Sequence, residues 1–222
     1  MLLEFGADAT AQTKNGSTPL HIASEIGSQE DAHLLLKLGV DATTQTEDGS
    51  TPLHIALKRG SQEVACLLLE HGADATAQMK DGSTPLHLAS SRGYQKVVCL
   101  LLEHGADATT QTKDGSTPLH LASEGGFLGV VRLLLEHGAD TEAQTKNGST
   151  PLHLASEIGL QDVVCLLLKH SADTTAQTED GSTPLHLASE RGLQDVVRLL
   201  LKHGADTTAH TQDGSTPLHL AS

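Results

Sequence analysis

The sequence predicts an all-α solenoid of helix-turn-helix units with projecting hairpin-like loops. The seven prolines lie 33 residues apart, from Pro19 to Pro217, and a fixed period of this size is typical of stacked repeats. The string Gly-Ser-Thr-Pro-Leu-His occurs seven times without a change. Two short apolar segments follow each full copy. They are too short to form stable helices alone, so each repeat must bury them against its neighbours.

The first helix of a repeat is predicted from its boundary residues, as the fourth copy illustrates. Thr117 precedes Pro118, and this pair is typical of a helix start. The threonine hydroxyl can cap free N–H groups, and proline suits the first helical position. Leu119, Leu121 and Ala122 are the apolar residues of this helix. Gly126 is predicted to end it.

The second helix and the loop follow in the same copy. The apolar residues between 130 and 135 are dense enough to be buried on more than one side of a helix. His137 falls in the predicted last turn, where a protonated ring would complement the helix dipole, and Gly138 supplies the left-handed end. The polar stretch 140–149 ends in Asn-Gly-Ser. Asn-Gly favours a tight turn with positive φ, which predicts a hairpin-like loop.

The period divides the chain into six complete repeats and two partial ones. The predicted boundaries are 1–14 for the end of a second helix and its loop, 15–47, 48–80, 81–113, 114–146, 147–179 and 180–212 for the full repeats, and 213–222 for the start of a first helix.

Composition excludes several classes of function. The formal charge is −14, and such an acidic surface repels phosphate backbones, so no nucleic acid partner is expected. Only three residues are aromatic, which leaves no platform for stacking bases. Clean apolar runs reach only six residues, as in 97–102, so no membrane-spanning segment is expected. The start Met1-Leu2-Leu3-Glu4 lacks the basic and apolar regions of a signal peptide.

These residues resemble the ankyrin repeat family over essentially the whole chain. The pattern Gly-x-Thr-Pro-Leu-His-x-Ala, a loop glycine, Val-Val-x-Leu-Leu-Leu and Gly-Ala-Asp recurs in nearly every repeat. The resemblance implies a stack of helix pairs with projecting loops. It also implies that the loop tips and the exposed side of the first helix form a concave surface that binds other proteins.

Several positions depart from the family pattern. Ala-Thr or Thr-Thr follows Gly-Ala-Asp, and Thr112, Thr145 and Met79 replace a common loop aspartate, so the family's loop hydrogen bonds need not apply here. Asp31 takes the place that Val64 holds in the next repeat. It is expected either to weaken packing or to fray the helix end. Ser171 replaces a helix-ending glycine, at a cost of about 1 kcal/mol if it is left-handed.

The fourteen histidines suggest a metal site, but their spacing does not. One set follows each Pro-Leu pair and another ends most second helices, so neighbours within a set lie roughly 10 Å apart. Zinc needs ligands at about 2.0–2.3 Å. No His-x-x-x-His or Cys-x-x-Cys pair is present, so no metal and no cofactor is predicted. The family resemblance implies that the first set hydrogen-bonds adjacent loops.

The remaining reactive residues also have structural explanations. Cys66, Cys99 and Cys165 occupy the same position in the second helices of three repeats, and the stacking distance places them too far apart for disulfides. Free thiols indicate an intracellular, cytoplasmic compartment. The two Asn-Gly-Ser sequons at 15–17 and 147–149 are better explained by turn chemistry. Each repeat holds a serine and a histidine, but no nucleophile elbow or third catalytic group accompanies them. No enzyme is predicted.

Partner-binding residues are expected where the fold leaves positions free. The predicted contact residues are Lys58, Arg59, Lys80, Ser91, Arg92, Lys113, Glu124, Glu157, Ile158 and Arg191. Four of them, Lys58, Arg59, Lys80 and Arg92, form a predicted basic strip across the second and third repeats, which would suit an acidic or phosphorylated segment. The competing interpretation is that these charges only balance nearby carboxylates.

Two further expectations concern exposed apolar residues. Tyr94 and Phe127 share one position in adjacent repeats, where they either form a small exposed anchor or pack against each other. Leu2, Leu3, Leu218 and Leu220 lie in the partial repeats and predict fraying or end-to-end self-association, because no polar capping helix covers them.

The function predicted is a non-catalytic protein-binding scaffold. The alternative is the recognition array of a larger signalling or defence protein whose enzymatic domain lies elsewhere.

Overall fold

The computed structural model describes residues 8–221, and all regular secondary structure in that range is helical. Helices alternate between first helices, which begin at the proline of a repeat, and second helices. In chain order they are α1 Pro19–Ile26, α2 Gln29–Lys37, α3 Pro52–Arg59, α4 Gln62–Glu70, α5 Pro85–Ser90, α6 Gln95–Glu103, α7 Pro118–Glu124, α8 Leu128–Glu136, α9 Pro151–Ile158, α10 Gln161–Lys169, α11 Pro184–Glu190, α12 Gln194–Lys202 and α13 Pro217–Leu220.

The described residues form two compact units. The N-terminal unit holds residues 8–89 and 94–107, and the C-terminal unit holds 90–93 and 108–221. In the N-terminal unit α1 packs on α3, while α2, α4 and α6 pack in series. In the C-terminal unit the first helices α7, α9, α11 and α13 pack in series, as do α8, α10 and α12. Helices thus stack on their equivalents, which confirms the predicted all-α class of helix-turn-helix repeats.

Each first helix begins with the predicted Thr-Pro pair and a reciprocal cap. In the second repeat, the backbone N–H of His54 donates to Thr51 Oγ1 at 3.4 Å. The backbone N–H of Thr51 donates in turn to His54 Nδ1 at 3.2 Å. The N–H groups at this helix start are therefore satisfied within four residues, while proline has none to satisfy.

The core is a row of leucines and valines shared between repeats. The leucine after each proline is fully buried in the first five copies, at Leu20, Leu53, Leu86, Leu119 and Leu152. From the second helices, Val64 and Leu68 in α4 are 1% and 0% exposed. Burying one such side chain stabilises the fold by about 1.5–3 kcal/mol. This stabilisation depends on neighbours, because no repeat can cover both of its sides by itself.

Asp31 does not fray its helix, but it lacks the buried apolar contact that the equivalent Val64 makes. The side chain is exposed, and Ser28 Oγ both accepts from the Asp31 backbone N–H at 3.2 Å and donates to Asp31 Oδ2 at 2.7 Å. α2 begins at Gln29, as α4 begins at the equivalent Gln62. A carboxylate in the first turn also interacts favourably with the helix dipole. The substitution therefore replaces a buried apolar contact by a helix cap.

Tyr94 and Phe127 are half-buried packing residues rather than an exposed anchor. The Tyr94 hydroxyl lies where a side chain on Gly60 would project, 3.0 Å from an ideal Cβ at that position. The Phe127 ring occupies the corresponding space beside Gly93 and Gly125, so a methyl group on either glycine would overlap it. Both aromatic residues thus fill space that glycine leaves free.

Ser171 keeps the left-handed conformation of the glycines it replaces. Its φ is +66°, compared with +80° at Gly138. The two residues make the same helix-ending bond, from the Ser171 N–H to Leu168 O and from the Gly138 N–H to Leu135 O, both at 3.1 Å. The hydrogen bonding is therefore unchanged, and only the backbone strain of a Cβ at positive φ remains.

Ser171→Gly is expected to raise the free energy of unfolding by about 1 kcal/mol, because it removes that strain without removing a contact. Gly138→Ser is the matched reverse change, since an ideal Cβ on Gly138 would have no neighbour within 4 Å. It should lower stability by a similar amount. Urea unfolding of both variants measures the two changes. A destabilised Ser171→Gly variant would contradict the assigned strain.

Candidate protein interface

The loops between repeats are tight hairpins, as predicted. In the hairpin of residues 46–50, the Thr46 carbonyl accepts from the Gly49 N–H and the Thr46 N–H donates to Ser50 O, both at 2.9 Å. Gly49 has a φ of +83°, whereas Asp48 has an ordinary backbone conformation, because Ser171 is the one non-glycine residue with positive φ in residues 8–221. The positive φ of the turn thus falls on the glycine alone.

Neighbouring hairpins are joined by backbone hydrogen bonds. The Lys80 N–H donates to Asp48 O at 2.9 Å in the N-terminal unit. In the C-terminal unit the Glu179 N–H donates to Asn147 O at 2.8 Å, and the Gln212 N–H donates to Asp180 O at 2.7 Å. Each hairpin is therefore held to the next one within its unit, which fixes the spacing of the side chains at the tips.

Buried histidines tie the hairpins to the helices. The rings of the Thr-Pro-Leu-His histidines from His21 to His186 are 0–1% exposed. In each, Nδ1 accepts from the threonine N–H, as at Thr117 and His120 (3.1 Å). The proton must then be on Nε2, which in His120 donates to the carbonyl of Ser149 in the next repeat at 3.0 Å. Equivalent bonds link His21 to Ser50, His153 to Ser182 and His186 to Ser215, whereas the buried Nε2 of His54 makes no hydrogen bond. The implied tie between adjacent loops is confirmed at these four histidines.

Burial keeps these histidines neutral. It lowers the pKa of His21, His120 and His153 below the ordinary value of 6.5, although the hydrogen bonds to the serine carbonyls act in the opposite direction. The pKa of His54 falls furthest, to about 4, again chiefly because of burial. A buried ring that gained a proton would lose Nδ1 as an acceptor, so charging it would break the helix cap.

The histidines of the second set lie just beyond the C-terminal ends of second helices and cap them. His71, His104, His137 and His203 each follow the last helical residue and donate from Nδ1 to the carbonyl four residues earlier, at 2.8–2.9 Å. His137 therefore lies one residue beyond the predicted last turn. Its neutral ring already satisfies a terminal carbonyl, so no proton is required.

Threonine, which replaces the family's loop aspartate, forms a hydrogen bond within the hairpin. Thr46 Oγ1 donates to Asp48 Oδ1 at 2.5 Å, and this bond holds the pKa of Asp48 at about 2. The same bond forms between Thr178 and Asp180, and it lowers the pKa of Asp180. Met79 has no hydroxyl, and there Asp81 accepts from the Ser83 N–H instead, at 2.9 Å. The hairpin carboxylates are thus ionised throughout the physiological range.

The cysteines are free thiols. Cys66 is buried, and burial raises its pKa. Cys99 donates to Glu103 Oε1 at 3.4 Å, which raises the pKa of that thiol. Within residues 8–221, no group of three His, Cys, Asp or Glu side chains has the geometry of a metal site.

The surface left open is formed by the hairpins and the exposed side chains of the first helices, here called the hairpin face. Among the clefts of this face in residues 8–221, those called A, B and C here each lie between two consecutive repeats. Cleft A, of about 520 Å³, lies in the N-terminal unit and includes Glu25, Asp48, Ile55, Lys58 and Arg59. Cleft B, of about 370 Å³, includes Asp114, Glu124, Lys146, Asn147 and Leu154. Cleft C, of about 310 Å³, includes Asp180, Glu190, Gln212, Asp213 and Leu220.

Ion pairs neutralise part of this face. In cleft A, Arg59 pairs with Glu25, and Lys58 lies 3.8 Å from Asp48 and donates to Ser50 Oγ at 3.3 Å. Between clefts B and C, Arg191 pairs with Glu157 at 2.6 Å. The two arginine pairs join consecutive repeats, whereas Lys58 and Asp48 lie in the same repeat. All three pairs are largely exposed to solvent, so each contributes at most about 1 kcal/mol to stability.

The predicted contact residues all lie at the surface, but the clefts contain only some of them. Lys58, Arg59 and Glu124 line clefts, and Glu157 and Arg191 form the ion pair between clefts B and C. The others are exposed at hairpin tips or at the ends of first helices: Lys80, Lys113, Ser91, Arg92 and Ile158.

The cleft walls and floors were not among the predicted contact residues. The hairpin aspartates Asp48, Asp114, Asp180 and Asp213 form walls, and Ile55, Leu154 and Leu220 form half-buried floors. The only sign of these cleft residues in the sequence is that they recur from repeat to repeat. The aspartates recur in nearly every loop and the aliphatic residue in every first helix, which makes them resemble purely structural positions.

Among the helices of residues 8–221, none combines the length and apolar character that crossing a bilayer requires.

Comparison with known proteins gives a consistent result. The chain matches a family model described as "Ankyrin repeats (3 copies)" at residues 1–79, 38–112 and 86–178. A second model, "Ankyrin repeats (many copies)", matches residues 166–221. Comparison with curated proteins finds no significant match.

Two solved structures illustrate the structural similarity. The ankyrin repeat domain of Bcl-3, titled a unique member of the IkappaB protein family, is 37% identical to this chain with a TM-score of 0.79. The alignment covers 94% of this chain and 96% of that one. The human ASB11 ankyrin repeat domain is 29% identical with a TM-score of 0.84, and the alignment covers 93% and 92% of the two chains.

Acid is expected to destabilise the fold over the pH range in which the buried histidines take up protons. The folded pKa values of His21, His54, His120 and His153 lie below 6.5, so the unfolded chain gains protons first as the pH falls. The stability they contribute is complete above pH 6.5 and is lost as the pH falls through the folded values, ending near 4 for His54. For His54 alone the loss is about 3 kcal/mol. Urea midpoints measured from pH 7.5 to 4 test this.

Two variants separate this effect from general acid sensitivity. His54→Gln should be less stable at pH 7.5 but should lose less stability on acidification, because one buried titrating group is gone. His71→Gln removes an exposed ring and should retain the full pH dependence. Stability that stays constant between pH 7 and 5 in the parent chain would be incompatible with buried neutral imidazoles.

Proposed function

The chain belongs to the ankyrin repeat family, and on that basis we propose that it is a non-catalytic scaffold that binds a protein or peptide partner on its hairpin face. Ankyrin repeat domains are generally protein–protein interaction modules. The free thiols Cys66, Cys99 and Cys165 favour a reducing, intracellular setting for this function, such as the cytoplasm.

The observation that carries the proposal is that each repeat combines invariant buried residues, which build the fold, with variable exposed residues, which the fold does not need. The Thr-Pro-Leu-His residues do not vary and are buried in the first six copies, apart from Pro19, which is half-buried. The last residues of the first helix, by contrast, differ between repeats. The last two positions of the first helix are Glu25 and Ile26 in the first repeat, Lys58 and Arg59 in the second, and Glu157 and Ile158 in the fifth. Most of these side chains are exposed. The fold does not dictate these residues, so they are free to encode a partner.

The basic residues of the N-terminal unit are one part of this face. An acidic or phosphorylated segment that docked at Lys58, Arg59 and Lys80 would have to displace Glu25 from Arg59 and Asp48 from Lys58. Binding would then exchange one carboxylate for another with little net gain. An acidic or phosphorylated segment is therefore disfavoured at these residues, and exposed aliphatic residues such as Ile158, which is 51% exposed, remain available for contacts elsewhere on the face.

Self-association is the second part of the proposal. Leu201 and Leu218 are 42% and 80% exposed, whereas their equivalents one repeat earlier, Leu168 and Leu185, are 7% and 2% exposed. A mostly apolar cavity of about 370 Å³ lies beside them, bordered by Val197 and Pro217. Leu220 is half-buried. Leu2 and Leu3, which were expected to form the other end of such a contact, lie outside the described residues.

Partner binding is tested with the full chain, immobilised through a tag, and variants of the ninth and tenth helices. Proteins retained at physiological salt are identified and each is titrated against Ile158→Glu. This change places a carboxylate on the hairpin face and should weaken a true partner about tenfold. Lys169→Gln alters the net charge equally on α10, where it lines none of the three clefts, and should leave affinity unchanged. Equal loss with both variants, or no loss with Ile158→Glu, would exclude the hairpin face.

Self-association is tested by light scattering over a range of concentrations. The parent chain should show a mass that rises with concentration, because Leu218 and Leu201 offer apolar surface. Leu218→Glu should shift the mass to that of the monomer, while Leu38→Glu, at a residue 57% exposed in the N-terminal unit, should not. A parent chain that stays monomeric at all concentrations would refute the contact.

A further inference from the structure

Clefts B and C are built alike, two repeats apart in the C-terminal unit. Each has a hairpin on one side, a glutamate near the end of a first helix on the other, and a half-buried leucine at its floor. The glutamates are Glu124 and Glu190, and the leucines are Leu154 and Leu220. An apolar floor beside a charged wall is the arrangement that holds an amphipathic side chain, whose stem packs while its charge pairs.

The carboxylates of these clefts lack cationic partners. Asp180, Glu190 and Asp213 face cleft C, and the residues that line it within the described chain include no Lys or Arg. Hydrogen bonds from Thr178 and Thr211 lower the pKa of Asp180 and Asp213, so both are ionised. In cleft B, Asp114 and Glu124 face the single cation Lys146, which pairs with neither of them. Both clefts therefore carry net negative charge.

Cleft A and the position between clefts B and C differ in this respect. Arg59 and Lys58 already neutralise Glu25 and Asp48 in cleft A. Arg191 already neutralises Glu157 between B and C. Clefts B and C thus each carry net negative charge, and the Glu157 carboxylate between them is neutralised by an ion pair.

The spacing of the two clefts limits what can occupy both. Stacked helices lie roughly 10 Å apart, so clefts two repeats apart are separated by about 20 Å. An extended chain advances about 3.3 Å per residue, and about six residues span that distance. A helix would need about thirteen residues, and its side chains would turn away from the face in between.

We propose that clefts B and C bind an extended basic segment of a partner protein, with two basic residues about six positions apart and uncharged residues between them. An aliphatic residue beside each basic residue packs on Leu154 or Leu220. This inference rests on the proposed function and specifies the partner at the same face. Ion pairing at both clefts gives the register, and the leucine floors add apolar contact.

The probe is a fluorescein-labelled peptide of twelve residues that carries Arg-Leu pairs at positions 3 and 9 among Gly, Ser and Pro. It should bind the full chain, and affinity should fall when salt is raised from about 50 to about 300 mM. A peptide of equal composition with the pairs at positions 3 and 6 should bind about tenfold more weakly, because one pair loses its cleft. A Glu-for-Arg peptide and a phosphoserine peptide should not bind.

Protein variants locate the site. Glu124→Gln combined with Glu190→Gln should weaken the basic peptide about tenfold. Glu70→Gln combined with Glu136→Gln removes the same charge from exposed positions on α4 and α8 and should leave affinity within about twofold. Unchanged thermal unfolding of both double variants confirms that they remain folded.

Three results would overturn the inference. These are equal binding of both peptide spacings, tighter binding of the acidic or phosphorylated peptide, and equal effects of the two double variants. The proposed function is judged separately. If the basic peptide fails while a captured partner is still weakened by Ile158→Glu, the hairpin face remains the interface and only its preference for a basic segment is wrong.

Discussion

The buried imidazole of the Thr-Pro-Leu-His segments is the contact on which the rest of the structure depends. One nitrogen accepts from the threonine that starts its own helix, and in His21, His120, His153 and His186 the other donates to a serine carbonyl of the next repeat, as His153 does to Ser182. A neutral ring is the only common side chain that can be donor and acceptor on opposite edges of a flat apolar body. It therefore joins helix start, core and hairpin in a single residue.

This tie explains why the surface can vary while the fold does not. The hairpins are held by hydrogen bonds from buried histidines to their serine carbonyls. They are also held to each other by backbone hydrogen bonds, such as that from the Glu179 N–H to Asn147 O. Side chains at the ends of first helices take no part in these bonds, and at the hairpin tips Gln212 Nε2 adds one to Glu179 O at 2.6 Å. Clefts A, B and C thus have the same frame but different charge, because only the variable residues differ. Binding specificity can change without cost to stability.

Features fixed by local chemistry could be predicted from the sequence. The Thr-Pro helix starts, the glycine ends and the left-handed Ser171 depend on a few adjacent residues. Features that depend on distant neighbours could not. The pairing of Arg59 with Glu25 joins residues 34 apart, and the outward turn of Asp31 depends on Ser28 and on what surrounds the helix. The cleft floors at Leu154 and Leu220 were hidden because a recurring aliphatic residue resembles core in a sequence.

The most direct test of the account is the protonation state of the imidazoles, observed through their ring nitrogens by NMR on uniformly ¹⁵N-labelled protein. The rings of His21, His54, His120 and His153, whose pKa values are lowered by burial, should be neutral with the proton on Nε2 at pH 7. His54 should titrate near pH 4. Buried rings that are protonated at pH 7, or that carry the proton on Nδ1, would contradict the tie between repeats.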